Sequence, residues 1–311
     1  MNTKSLKIGT RGSPLALLQT EMAEGALKAQ IPGLQIERVV IRTTGDWKPE
    51  QGEKRLSEAE GGKGLFAREI EQALLDGTID CAVHSLKDMP SFLPEGLALD
   101  HMLERADPRD AFICHKVSSY MDLPQGAVVG TSSLRRQAFL LAKRPDLKIV
   151  PIRGNVQTRL AKLAEGLVDA TYLAMAGLDR LGISGDFIRP VSSEDMLPAC
   201  GQAVIAIETR VDDHETRKIL DSIHNKTAGF TSAAERAALQ VLDGSCHTPI
   251  GAFAVMRGGD MDFKLAVASG DGARFFEDSA QGSVSSVEEA EALGRDIASR
   301  LKERIPSDIF A

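Results

Sequence analysis

AVIAIETR, residues 203–210, decides the fold. It reads as a β-strand, yet it arrives only after two complete α/β sets have gone by. The first set runs strand 5–10, helix 14–30, strand 34–42, helix 65–76, strand 79–84 and strand 96–103. The second has strands near 111–115, 127–131, 147–152 and 169–174, with helices near 133–144, 155–165 and 175–182. Such alternation is the mark of a layered α/β lobe, and two lobes of similar size are the simplest account. A return of 203–210 to the first lobe joins the two by a pair of crossings, a hinge arrangement.

Beyond about residue 223 the pattern changes to helix 230–242, strands near 249–256, 263–268 and 273–279, and a last helix 286–305. That is a small α+β domain. The expected division is 1–103 with 200–222, then 104–199, then 223–311. TTGDWKPEQGEKRLSEAEGG, residues 43–62, lacks apolar periodicity and is expected to be a mobile loop.

Charge narrows the function. With 37 basic against 44 acidic residues the chain is net −7, so it lacks the overall basic field of a general nucleic-acid binder. Yet residues 131–159 hold seven cations, Arg135, Arg136, Lys143, Arg144, Lys148, Arg153 and Arg159, against the single acid Asp146. A local anion site is indicated. The start, MNTKSLKIGTRGSPLALL, has neither a secretory core nor a membrane-length apolar run, so a soluble, cytoplasmic protein is expected.

Cys81, Cys114, Cys200 and Cys246 are widely spaced without a CxxC pair and are expected to form no disulfides. GGKGLF, residues 61–66, has Gly64 where a P-loop needs Ser or Thr. Cys81 and His84, Cys114 and His115, and Cys246 and His247 make no chelating set, so no metal is expected. His84 reads as a structural hydrogen-bonder at a strand end.

Three strand-to-helix junctions carry the cations. GTRGSP, 9–14, sets Arg11 and Ser13 at a helix start, where free N–H groups attract anions. GTSSLRRQAFL, 130–140, offers Thr131, Ser132 and Ser133 as hydroxyls and caps, with Arg135 and Arg136 in the first turn. Positive charge there opposes the helix dipole by up to about 1 kcal/mol per exposed charge, and a bound anion explains its acceptance. IRGNVQTRL, 152–160, adds Arg153 and Arg159.

HSLKDMP, 84–90, places Ser85, Lys87 and Asp88 just after an apolar strand, where open α/β sheets keep ligands; Asp88 reads as the one carboxylate near these cations. It is expected to stay ionised and to offset a developing cation. Cys246 falls on a turn between Gly244 and Pro249, either as a covalent handle or as a small apolar residue of a core.

In order and spacing, GTRGSPLAL, GGKGLF, AVHSLKDMP, GTSSLRRQ, RGNVQTRL, LAMAGLDRLG and ERAALQVLDGSCHTPIG resemble the porphobilinogen deaminase (hydroxymethylbilane synthase) family along nearly the whole chain. The resemblance implies an α/β protein of two type II periplasmic-binding-protein-like lobes plus a small α+β C-terminal domain. By the same resemblance Cys246 matches the position joined by a thioether to a dipyrromethane cofactor, expected as one per chain.

The implied activity is that of a transferase. Porphobilinogen loses ammonia to give an azafulvenium cation, four units are condensed head to tail, and hydrolysis releases hydroxymethylbilane for tetrapyrrole (haem) biosynthesis. Each pyrrole bears an acetate and a propionate, so the chain's partners are porphobilinogen and a growing polyanion, with no nucleic acid or membrane; a monomer is expected. By resemblance Asp88 is catalytic, and Ser13, Lys87, Asp88, Thr131, Ser133, Arg135, Arg136 and Gly154 hold the cofactor with Cys246. Arg11, Lys63, Phe66, Arg153, Arg159 and Arg180 match substrate-binding positions.

Two departures stand out: Ala203 replaces a glycine near the interlobe crossing, and Ala59 stands where relatives often place Lys. The rival readings are a non-catalytic, two-lobed organic-anion binder and a thiol enzyme using Cys246 with His247.

Overall fold

The computed structural model describes residues 5–43, 67–242 and 248–309. Lobe 1 is built on β1 (Leu6–Arg11), β2 (Ile36–Ile41), β3 (Cys81–Ser85), β4 (Leu97–Met102) and β10 (Ile205–Arg210), in the order β2-β1-β3-β10-β4. Lobe 2 uses β5 (Asp110–Ile113), β6 (Val128–Gly130), β7 (Lys148–Val150), β8 (Ala170–Ala174) and β9 (Ile188–Pro190), in the order β7-β6-β8-β5-β9.

The two plans are the same. In each, three neighbouring strands are parallel and the next, β10 or β5, is antiparallel. Those two are the strands on which the chain enters a lobe from the other, so 203–210 does return to the first sheet, between β3 and β4.

The helices are α1 (Pro14–Gln30), α2 (Arg68–Leu75), α3 (Leu134–Lys143), α4 (Val156–Ala164), α5 (Met175–Arg180) and α6 (His214–Asp221). α1 starts where Ser13 caps and Pro14 takes the first turn, whose fixed φ and missing N–H suit that position. It buries Ala23 and Leu27 on Leu6, Ile8 and Val83, while α2 lays Ile70 and Leu74 on the other face of the sheet, against Ala82 and Leu97.

The third unit comprises α7 (Lys226–Val241), β11 (Ile250–Arg257), β12 (Asp260–Ala268), β13 (Phe275–Ser283) and α8 (Val287–Arg304), its sheet an antiparallel meander. Gly294 lets α8 close on α7, because a Cβ there would lie 2.1 Å from the Ala234 carbonyl oxygen. Phe139 of α3 meets Phe275 at 5.0 Å between ring centres, and Ala266 and Ala268 join the lobe 2 core. The buried Glu235 binds Arg105 Nη1 at 2.6 Å, Gly201 N at 2.7 Å and Ala254 N at 2.9 Å, so one carboxylate fastens both interlobe crossings to β11.

Some expectations need correction. α7 begins at Lys226, not 230, because Asn225 caps it by accepting from Ala228 N at 2.9 Å, outweighing the poor helix former Gly229. α6 and β9 went unforeseen; the first is short and largely polar, the second only three residues long.

Ala203 is the one non-glycine among the described residues with positive φ, at 74°. That conformation costs an L-residue roughly 1–2 kcal/mol. It is held by Arg180, whose Nη2 donates to the Ala203 carbonyl at 2.7 Å. Ala203→Gly is expected to raise stability by about 0.5–1 kcal/mol, net of the greater freedom of glycine in the unfolded chain. Thermal unfolding checks this, and a lower midpoint would show that the methyl group's packing outweighs its strain.

Candidate active site

Lobe 1 contributes a cavity of about 70 Å³ between the start of α1 and the end of β3, lined by Arg11, Ser13, Gln19, Ser85 and Asp88 among others. Ser13 Oγ accepts from Ala16 N at 3.3 Å, which aims the remaining free N–H groups of α1 outward. Gln19 and Ser85 hydrogen-bond at 2.8 Å, fixing helix to strand. After β3 the chain takes one 3-10 turn, Leu86–Asp88, so Lys87 and Asp88 stand at the strand's carboxyl end.

Lobe 2 supplies the same device at the β6–α3 junction. Thr131 Oγ1 accepts from Ser133 N at 3.2 Å, and Ser133 Oγ from Arg136 N at 3.4 Å. The arginines that follow are not surface forks, however. Arg135 and Arg136 are buried, and both pair with Asp110, the fully buried first residue of β5. Arg136 Nη2 and Nε donate to Asp110 Oδ1 at 2.7 and 3.2 Å, and Arg135 Nη2 lies 2.7 Å from Oδ2.

This corrects two expectations. The charge of the first turn of α3 is offset by an acid of the chain itself, and Asp88 is not the one carboxylate near these cations. Burial alone would raise the Asp110 pKa, but the two guanidiniums and donors from Arg136 and Gln202 hold it well below the carboxylate range.

Gln202 connects the lobes. Its Nε2 donates to Asp110 Oδ1 at 2.9 Å and to the Pro108 carbonyl at 2.7 Å, while its Oε1 accepts from Lys87 Nζ at 3.4 Å. Lys87 is pushed down to about 8, by desolvation first and by Arg136 and Arg135 as well, against the opposing pull of Asp88 and Asp110. So Lys87 and Asp88 of lobe 1 and Arg135 and Arg136 of lobe 2 share one electrostatic neighbourhood.

Two cations are only partly committed. Arg135 Nη1 donates to the Leu197 carbonyl at 2.7 Å and Arg180 Nη2 to that of Ala203, yet Nε of each is buried with no partner. A buried guanidinium N–H without an acceptor is costly, so each of these two cations keeps a donor that no described residue of the chain satisfies.

Arg153 and Gly154 sit in the β7–α4 turn and Arg159 in the first turn of α4, and none of them lines the small cavity. Gly154 has φ +107°, and a Cβ there would lie 2.6 Å from Thr158. Its carbonyl accepts from Arg159 Nε at 2.9 Å, and Asn155 caps α4. His84 Nε2 meets the buried Glu208 Oε2 at 3.0 Å, a structural partner as expected. Lys63, Phe66, Cys246, most of the 43–62 segment and the Gly244 turn lie outside the described residues.

A larger cavity of about 630 Å³ opens at the edge of lobe 2, by Cys114, His115 and Phe187, and contains none of the cations expected for the site.

Two family models match in tandem: "Porphobilinogen deaminase, dipyromethane cofactor binding domain" over residues 6–218 and "Porphobilinogen deaminase, C-terminal domain" over 230–303. The chain belongs to the porphobilinogen deaminase family. The porphobilinogen deaminase of Paracoccus denitrificans is 47% identical over 308 residues, covering 98% of this chain and 96% of the relative. That of Nitrobacter winogradskyi is 47% identical over 305 residues, covering 97% and 94%. A putative methionine-binding lipoprotein from Bacillus subtilis overlays with a TM-score of 0.43 at 15% identity, covering 73% of this chain and 93% of its own.

Dipyrromethane is the cofactor of this family, and the described residues suit it. A group bearing several carboxylates requires acceptor-free donors, which the unpartnered Nε atoms of Arg135 and Arg180 and the first turns of α1, α3 and α4 provide. Sequence reasoning missed Asp110, Gln202 and Gln19. For Asp110 a signal existed: an acid opening the apolar run DAFI is out of place in a core strand unless it is paired.

Proposed function

We propose that Asp88 carries the reaction and that the arginine junctions of both lobes hold the carboxylates of substrate and product. The reaction is the family's: porphobilinogen units are condensed with release of ammonia to give hydroxymethylbilane, in tetrapyrrole biosynthesis. The observation that supports this best is the shared neighbourhood of Lys87, Asp88, Arg135 and Arg136 across the meeting of two lobes, in which Asp110 is already committed to both arginines and Asp88 is left to face the small cavity.

Cys246 would anchor the dipyrromethane, and Ser13, Lys87, Thr131, Ser133, Arg135, Arg136 and Gly154 would hold it. When bound, it supplies the free pyrrole carbon from which the chain grows. Arg11, Lys63, Phe66, Arg153, Arg159 and Arg180 would receive the incoming units. Asp88, beside Lys87, accepts hydrogen bonds at its Oδ atoms, offsets the positive charge that develops as the amine departs, and takes up the proton that is released. The preformed ion pairs of Asp110 keep Arg135 and Arg136 from reorganising as it does so.

The proposal extends to three domains, 1–103 with 200–222, 104–199 and 223–311, supported by the membership of the three sheets. It extends also to a cytoplasmic monomer; the free thiols of Cys81, Cys114 and Cys200 suit a reducing compartment, and light scattering tests the oligomeric state.

Intact mass decides between enzyme and binder. Wild type is expected to carry an added two-pyrrole unit that Cys246→Ser lacks; an unmodified wild-type mass would favour the organic-anion binder. Alkylation decides against the thiol enzyme, because two of the other described thiols are buried and the third, the half-buried Cys200, is a poor nucleophile. Cys81 is fully buried, its pKa pushed up by desolvation, Cys114 is buried, and desolvation with Glu235 pushes Cys200 up to about 12. Iodoacetamide should therefore leave the purified protein unlabelled, and stoichiometric labelling at Cys246 would identify a free nucleophile.

A further inference from the structure

Behind β3, between the lobe 1 sheet and α2, lies a buried acid cluster to which none of the expected cofactor or substrate residues belongs, although its His84 borders the small cavity. Glu208 on β10 is fully buried and its Oε2 pairs with His84 Nε2 at 3.0 Å. Glu71, in the first turn of α2, is buried against them. One oxygen of each acid, Glu71 Oε1 and Glu208 Oε1, is sealed from solvent with no hydrogen-bond partner.

Two carboxylates buried in one layer beside a single imidazole cannot both be charged cheaply, and two orphan acceptors there lack one thing, a donor. A single proton supplies it. We propose that Glu71 and Glu208 share one proton, and that this acid–carboxylate pair, anchored on His84, positions the strand end that presents Lys87 and Asp88.

The electrostatics agree. Desolvation first, and Glu208 second, push Glu71 up to about 7, against the opposing effect of His84. Its place in a first helical turn favours the anion, but that preference is worth about 1 kcal/mol and is outweighed. The charged groups facing Glu71 from the sheet are Glu208 and His84; Glu208 is also faced by Arg236 of α7, whose Nη2 donates to the carbonyls of Pro90 and Ser91. Arg210, on the same strand, is engaged at the other end of α2, donating to the carbonyls of Leu74 and Ile79 at 2.7 Å.

The chain of contacts is short. Glu71 belongs to α2, Glu208 to β10 and His84 to β3, one residue before Ser85 and three before Lys87. Loss of the shared proton sets two carboxylates against each other under that strand end.

The sign follows from the raised pKa. A folded-state acid that titrates near 7 instead of 4.5 binds protons the unfolded chain does not, so its contribution is full below pH 4.5 and is lost as pH rises to 7 and above. Glu71→Gln removes this titration while keeping a donor for Glu208. The holoenzyme melting temperature of wild type relative to Glu71→Gln is therefore expected to fall by about 5 °C across that window.

Infrared spectra offer a direct readout. Wild type below pH 7 should show a protonated-carboxyl C=O band that disappears at higher pH and is absent in Glu71→Gln. In Glu208→Gln, which removes the neighbouring charge, the band should vanish at lower pH than in wild type. The rate of hydroxymethylbilane formation, variant over wild type, should rise with pH; Lys87 titrates in both proteins and cancels.

A missing or non-titrating band, or a melting difference independent of pH, would overturn the shared proton, and a flat rate ratio would overturn its positioning role. The positioning role rests on the assignment of Lys87 and Asp88 above. Failure of that assignment appears separately, as normal turnover in Asp88→Asn with the infrared band intact.

Discussion

Asp110→Asn is expected to lose about 3–5 kcal/mol of stability and to accumulate without assembled cofactor. The substitution keeps shape and an acceptor for Gln202, but removes the one negative charge between Arg135 and Arg136, both of them buried. Two guanidiniums would then face each other with nothing to offset them, and the loss of one partner from a buried pair is far costlier than the pair's net worth.

Urea unfolding at neutral pH measures the effect, and a variant within 1 kcal/mol of wild type would sink the idea that Asp110 neutralises this turn of α3. Adding Arg135→Met to the variant should recover part of the loss, since it removes one of the stranded charges. The pH dependence has a sign as well. Because the Asp110 pKa is depressed, its contribution is full above the ordinary carboxyl value of 3.8 and is lost as pH falls below it, whereas the variant lacks that acid limb.

The junctions were legible and their neutralising partner was not, for one physical reason. Caps are local: Ser13 and Ser133 reach backbone three residues ahead, so residue types in a row announce the helix start and its anion-seeking N–H groups. Asp110 lies 25 residues before Arg135 and in a different element, and only the antiparallel pairing of β5 with β8 brings them together. The same holds for Glu71, Glu208 and His84, whose meeting depends on β10 entering the sheet beside β3. The strand 203–210 could be seen to arrive late; that it would carry a buried acid into the layer beneath Lys87 and Asp88 needed the register Ala206↔His84. Ala203 was legible as a departure, but its positive φ became visible only in three dimensions.

Asp88→Asn is expected to fold normally and to retain carboxylate binding, yet to lose condensation activity by a factor on the order of 10² to 10⁴. Asp88 ends a half-buried 3-10 turn and fastens no core element, so the amide should leave stability within about 0.5 kcal/mol of wild type. What the amide cannot do is offset positive charge or accept a proton. Turnover of porphobilinogen by the purified variant is the measurement, and a rate near that of wild type would remove Asp88 from the mechanism.

A second consequence separates electrostatics from simple misplacement. Asp88 is the largest influence raising the Lys87 pKa, which burial has already brought down to about 8. Without that carboxylate Lys87 should lose its proton at lower pH, so the residual activity of Asp88→Asn should fall away on the alkaline side earlier than that of wild type. A variant whose weak activity keeps the wild-type alkaline limb would mean that Asp88 acts on the substrate without setting the charge of its neighbour.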